Sequence, residues 1–142
     1  MTKASTSYDQ DFYQWTLDQA ESLKKKEYAQ LDLENLLEEI ESLGNSEKRA
    51  LESHMSNLFL HLLKRKYQPL MDSHSWKYSI RNARRQVKKT LEKNPSLKSK
   101  VREIMQDAYD SAFDIAMAQT GLPENTFPKE CPFSEDDFYE EK

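Results

Sequence analysis

Apolar residues recur at helical spacing along most of this chain. Tyr8 to about Glu27 reads as a first helix, with Ser7 as N-cap, Asp9 and Asp11 in its first turn and Lys24, Lys25 and Lys26 in its last. A second helix starts near Asp32 and carries Leu33, Leu36, Leu37, Ile40 and Leu43. Gly44-Asn45-Ser46 is expected to end it and cap the next helix, the alternative being a kink. The third helix runs to Tyr67, with Leu51, Met55, Leu58, Phe59, Leu62 and Leu63 as its inward stripe, and Pro69 stops it. The fourth begins between Ser73 and Ser75 and sets Trp76, Ile80, Ala83, Val87 and Leu91 on one side, ending at Asn94-Pro95. Ser96 caps a fifth, which buries Leu97, Val101, Ile104, Ala108, Ala112 and Ile115 and closes on Gly121 at its C′ position. Beyond it Pro123, Pro128 and Pro132 predict an extended strap pinned by Phe127 and Phe133, with a short turn from Ser134 to Tyr139.

The pattern predicts an all-α, antiparallel bundle of about five helices, one domain over residues 8–133, with flexible or short terminal segments at 1–7 and 134–142. Composition narrows this further. A chain of 142 residues buries about 70% of its unfolded surface on folding, enough for a core without disulfide or metal. Two glycines in the whole chain, Gly44 and Gly121, disfavour a sheet protein and leave no Gly-rich phosphate cradle. Cys131 is the sole cysteine, and no Cys or His cluster has zinc spacing. No apolar run has signal-peptide character or the length of a membrane span, so the expected setting is cytoplasmic, with no membrane partner.

Several spaced strings carry a resemblance. Leu31-Asp32-Leu33-Glu34-Asn35-Leu36-Leu37-Glu38-Glu39-Ile40-Glu41-Ser42-Leu43-Gly44, His61-Leu62-Leu63-Lys64, Tyr67-Gln68-Pro69, Ser75-Trp76, Pro95-Ser96-Leu97 and Phe127-Pro128 resemble the domain-of-unknown-function family twenty-nine, over about Tyr8 to Phe133. That resemblance implies a small α-helical protein of a kind abundant in cyanobacteria. It carries over no activity, ligand or catalytic residue, so function is argued from the residues themselves.

The net charge of −4 conceals a segregation. Residues 1–63 hold 6 Lys/Arg and 12 acids; residues 64–102 hold 13 Lys/Arg against Asp72 and Glu92, a block of +11; residues 103–142 hold 2 Lys and 11 acids. Most of the basic block falls on the fourth helix, where Arg81, Arg84, Arg85 and Lys88, with Trp76 and Tyr78 at the start, suit phosphate binding and base stacking. The competing expectation is internal: Asp107, Asp110 and Asp114 form an acidic face on the fifth helix that would neutralise the arginines, and a pI near 5.5 is low for a dedicated nucleic-acid binder.

A second constellation lies on the second and third helices. Glu34 and Glu41 border one side of an apolar stripe, and His54 and His61, also seven apart, border another. If those helices pack antiparallel, carboxylates and imidazoles meet, a donor set for a divalent metal, with Glu41 and His61 as the catalytic pair. The spacing is not that of HEXXH, and the plainer expectation is a solvated face beside core-flanking histidines. Cys131, among Glu130 and Glu135, has no environment that would activate a thiol. Three functions follow: a nucleic-acid-associated protein using residues 64–102, a metal-assisted hydrolase or nuclease with the Glu/His seam, and a non-catalytic protein-interaction or regulatory bundle, with a protein partner or homo-oligomer. The first ranks ahead because the charge segregation is the largest anomaly.

Overall fold

The computed structural model describes residues 3–139. Its described residues form five α-helices and no strand: α1 (Lys3–Gln10), α2 (Phe12–Lys24), α3 (Leu33–Tyr67), α4 (His74–Lys93) and α5 (Val101–Thr120). The all-α expectation therefore holds. Short 3-10 turns lie at Tyr28–Gln30, Pro69–Met71, Pro95–Lys100, Glu124–Thr126 and Glu135–Phe138. Of the terminal segments expected at 1–7 and 134–142, positions 1–2 and 140–142 lie outside the described residues. Lys3–Ser7 belong to α1, and the Glu135–Phe138 turn is closed by a capping box between Ser134 and Asp137.

Several boundaries differ from the sequence reading. The first predicted helix is two, because the Asp11 side chain accepts the amide N–H of Gln14 at 3.0 Å and restarts the chain as α2. Ser7 is thus inside α1, and the N-cap is Asp11. The break expected at Gly44 does not exist: α3 continues from Leu33 to Tyr67. A single glycine costs a helix interior about 1 kcal/mol, too little to end one that a dozen neighbouring residues favour. Ser96 lies in a 3-10 turn rather than capping α5, which starts at Val101. Gly121 closes α5 as expected, with φ +71 and its N–H donated to Met117 O at 3.0 Å.

The chain divides into two compact units, residues 1–46 and 47–142. In the first, Tyr8, Phe12 and Trp15 form a cluster of rings with centroids 4.8–5.6 Å apart. Trp15 is buried, and its indole N–H donates to the buried carboxylate of Asp32 at 2.9 Å. Asp32 also accepts from the amide N–H and side-chain Nδ2 of Asn35, so it is the N-cap of α3, and its own N–H donates to Gln19 Oε1 at 2.8 Å. Otherwise this unit is open: Leu33, Leu37, Ile40 and Leu43 are all exposed.

The second unit holds the main core. Leu51, Met55, Leu58, Phe59 and Leu63 of α3 pack with Ile80, Ala83, Val87 and Leu91 of α4 and Val101, Ile104, Ala108 and Ala112 of α5. These are the stripes that the periodicity marks. On α5 the face ends in Ala116, while Ile115 is exposed, and Met105 and Tyr109 join the core. Residues 47–67 of α3 and α4 run antiparallel: Lys93, at the end of α4, pairs with Glu47 at 2.8 Å, and Trp76, near its start, lies 5.8 Å beneath Lys64 Nζ. The strap is pinned by three rings rather than two. Phe127 and Phe138 are buried, and Phe133 stacks on Phe59 with centroids 5.2 Å apart. The Tyr109 hydroxyl donates to the carbonyl of Pro128.

Candidate functional site

α4 forms where it does because Ser73 caps it, accepting the amide N–H of Trp76, and because its apolar residues repeat on one side. Burying Ile80, Ala83, Val87 and Leu91 turns the opposite side to solvent. That side is cationic. Lys77, Arg81, Arg85 and Lys89 are exposed and follow one another at i+4, one ridge along the helix surface with about 6 Å of rise per step. Like charges at this spacing repel by about 0.2–0.5 kcal/mol per pair on an isolated helix. Tyr78 is exposed beside Lys77. Trp76 is half-buried with Lys64 against its ring, a boundary position. Lys88 is half-buried, and Lys93 is engaged with Glu47.

Arg84 departs from the expected surface. It is only 5% exposed, and its Nε–H donates to the carbonyl of Asp137 at 2.7 Å. The structure therefore does not present Arg81, Arg84 and Arg85 to solvent together; Arg81 and Arg85 are on the ridge and Arg84 is inside. Steps of 300° and 100° from Arg81 to Arg84 to Arg85 place the middle residue towards Ile80 and Val87. Arg84 also lines a cleft of about 440 Å³ with Arg65, Lys66 and Phe133. Arg65 there pairs with Asp72 at 3.3 Å. Asp107, Asp110 and Asp114 are exposed on α5, and Asp110 accepts from Gln106 Nε2.

The Glu/His seam is not formed as envisaged. It requires a reversal between the glutamates and the histidines, and α3 has none: Glu34, Glu41, His54 and His61 follow one another along a single helix. Among the described residues, no group of three or more His, Cys, Asp or Glu is placed to hold a metal ion. Glu34 and Glu41 are exposed on the first unit. In the second unit His54 lines an open cleft of about 570 Å³ with Arg49, Glu52, Ser53 and Ser111, and burial lowers its pKa below 6.5. His61 Nδ1 lies 2.9 Å from the carbonyl of Asn57, which can only accept, so Nδ1 carries the proton. Burial lowers the His61 pKa, the Asn57 carbonyl opposes that, and the Lys64 cation adds to it.

Sequence reasoning missed two polar centres. Asp32 is a buried carboxylate whose burial pushes its pKa up, while hydrogen bonds from Asn35 and Trp15 outweigh that and hold it below the ordinary range. Its cleft, about 550 Å³ and lined by Trp15, Gln19 and Glu27 among others, lies within the first unit. An Asp just before a leucine-rich helix was a visible cap signal, but nothing local marked Trp15 as its partner. The other centre is Arg84. For Cys131, burial raises the thiol pKa, in keeping with an inert cysteine.

Fold and site together define a small all-α protein whose prominent chemistry is a segregated cationic surface. The chain matches the family described as Domain of unknown function DUF29 over residues 7–142, nearly its whole length, and it belongs to that family. No curated protein and no solved structure matches it. No helix among the described residues is long and apolar enough to cross a membrane.

Proposed function

We propose that this protein associates with nucleic acid through the exposed ridge of α4, with Lys77, Arg81, Arg85 and Lys89 on successive backbone phosphates and Tyr78 stacking an unpaired base. One observation carries the reading: four exposed cations at i+4 on a helix whose other side is fully committed to the core. Such a row binds phosphates by charge and releases condensed counterions, without reading sequence. The acidic remainder of the chain restricts binding to this side and disfavours diffuse, all-over attachment to a polyanion. Arg84 is left out of the contact set, because it is buried against the C-terminal turn.

The test is anisotropy of labelled single-stranded and duplex oligonucleotides across a salt series. Four phosphate contacts give a slope of log K against log salt of about −3.6 on duplex and about −2.8 on single strands. Replacing Lys77, Arg81, Arg85 and Lys89 by Ala flattens that slope while leaving helical content unchanged. Absence of binding at low salt, or an unchanged slope in the quadruple variant, removes the reading.

A further inference from the structure

The first compact unit has more apolar surface than it can use. Among the described residues of this unit Trp15 is the one buried large apolar side chain, whereas Leu33, Leu37, Ile40 and Leu43 are 68, 60, 63 and 69% exposed. These residues are not scattered. At about 100° per residue, Leu33, Leu37, Ile40 and Gly44 fall within an arc of about 60°, with Leu36 and Leu43 along one edge. Spacing of i, i+4, i+7 and i+11 is that of a helix–helix seam. Gly44 adds a second feature, since no atom lies within 4 Å of where its Cβ would stand. A neighbouring backbone can approach there without meeting a side chain.

The rim of the stripe identifies what covers it. Glu41 and Glu34 lie about 40–60° beyond Leu37 on the open edge, followed by Glu38, and all three are exposed. On the other edge Glu39 is already occupied, accepting the Tyr8 hydroxyl. Residues 1–46 hold 4 lysines against 10 carboxylates, a charge of −6. Two copies pairing these stripes would bring glutamate rows together, which the flanking positions of paired helices disfavour. The chain's own basic helix is no candidate, because the apolar side of α4 is spent in the core of the second unit.

We infer that the α3 face carried by Leu33, Leu37, Ile40 and Gly44 is a docking surface for an amphipathic helix of a partner protein, with an apolar seam and Lys or Arg flanks. The seam covers the leucines, a small gap at Gly44 allows close approach, and the basic flanks meet Glu34, Glu38 and Glu41. Binding here is independent of the α4 ridge.

The experiment uses the full chain and three synthetic peptides: an amphipathic helix with a leucine seam and lysine flanks, the same seam with glutamate flanks, and a scrambled sequence of the lysine peptide. The lysine-flanked peptide binds about tenfold or more tightly than either control. Leu37→Asp and Ile40→Asp abolish that binding without loss of helical content, since both sites are exposed. The combined Glu34→Lys, Glu38→Lys and Glu41→Lys variant reverses the preference towards the glutamate-flanked peptide. Equal binding of the scrambled peptide overturns the inference, as does no binding of the lysine-flanked one. A sedimenting dimer that Leu37→Asp dissolves also overturns it, by making a second copy the occupant.

Discussion

Arg84 Nε donates to the backbone carbonyl of Asp137 at 2.7 Å, tying the middle of α4 to the turn that seats Phe138 in the core. A guanidinium that sequence alone assigns to a phosphate surface is instead a structural latch. Arg84→Ala is expected to destabilise the protein by about 1.5–3 kcal/mol, the range for a hydrogen bond involving a charged group. Its nucleic-acid salt slope should stay at the parent value. Urea unfolding and anisotropy on the same variant separate the two roles, and a flattened slope with unchanged stability would return Arg84 to the binding surface.

Gly44 makes a prediction of opposite sign. It sits inside α3 at a position where an added Cβ meets nothing within 4 Å. Gly44→Ala should therefore stabilise the chain by about 0.5–1 kcal/mol, through helix propensity and a less flexible unfolded state. Gly121→Ala should do the reverse, because Gly121 closes α5 at φ +71, where a Cβ is strained. Paired denaturation curves read both signs, and a destabilising Gly44→Ala would mean the helix is strained at that point.

These two sites show where the sequence was legible. Periodicity located the core of α4 and of residues 51–63, because burial on one helix face leaves a direct trace in residue order. It overrated Gly44, since a local breaker is weighed against the cooperative preference of a long segment, which no single position displays. It assigned Arg84 to the outside because charged residues are rarely buried. The acceptor that makes burial tolerable is a backbone carbonyl 53 residues away, which composition cannot signal. The Glu/His seam fell for the same reason as the Gly44 break: both needed a reversal that the chain does not make.

Two of the three histidines of the second unit give a pH dependence. His54 and His61 both have folded-state pKa values below 6.5, burial being the first cause in each. Below 6.5 the unfolded chain then binds protons that the folded one resists. Stability is full above that value and is lost as pH falls through the lowered folded values. Unfolding midpoints at about pH 7.5 and about pH 5.5 should differ for the parent, and the difference should shrink in the His54→Gln, His61→Gln variant. An unchanged difference would assign the acid sensitivity to other groups.

Asp32 sets the corresponding acid limit for the first unit. Burial raises its pKa, and hydrogen bonds from Asn35 and Trp15 more than offset this, so the folded value lies below the ordinary 3.8. A depressed carboxyl contributes stability that is present above 3.8 and is lost as pH falls below it through the folded value. Asp32→Ala removes the N-cap of α3, about 1–2 kcal/mol, and leaves the indole N–H of the buried Trp15 without its acceptor, about 1–3 kcal/mol more. With so little other apolar burial in this unit, that loss should release Trp15 to solvent at neutral pH. In a Trp76→Phe background, where Trp15 is the remaining tryptophan, the emission of Asp32→Ala should be red-shifted, and the parent should reach the same emission only in acid. Asp32→Asn keeps an acceptor oxygen for the indole but drops the charge, so its shift should fall between the two. A blue-shifted emission retained in Asp32→Ala would show that the ring cluster of Tyr8, Phe12 and Trp15 holds the unit closed without the carboxylate.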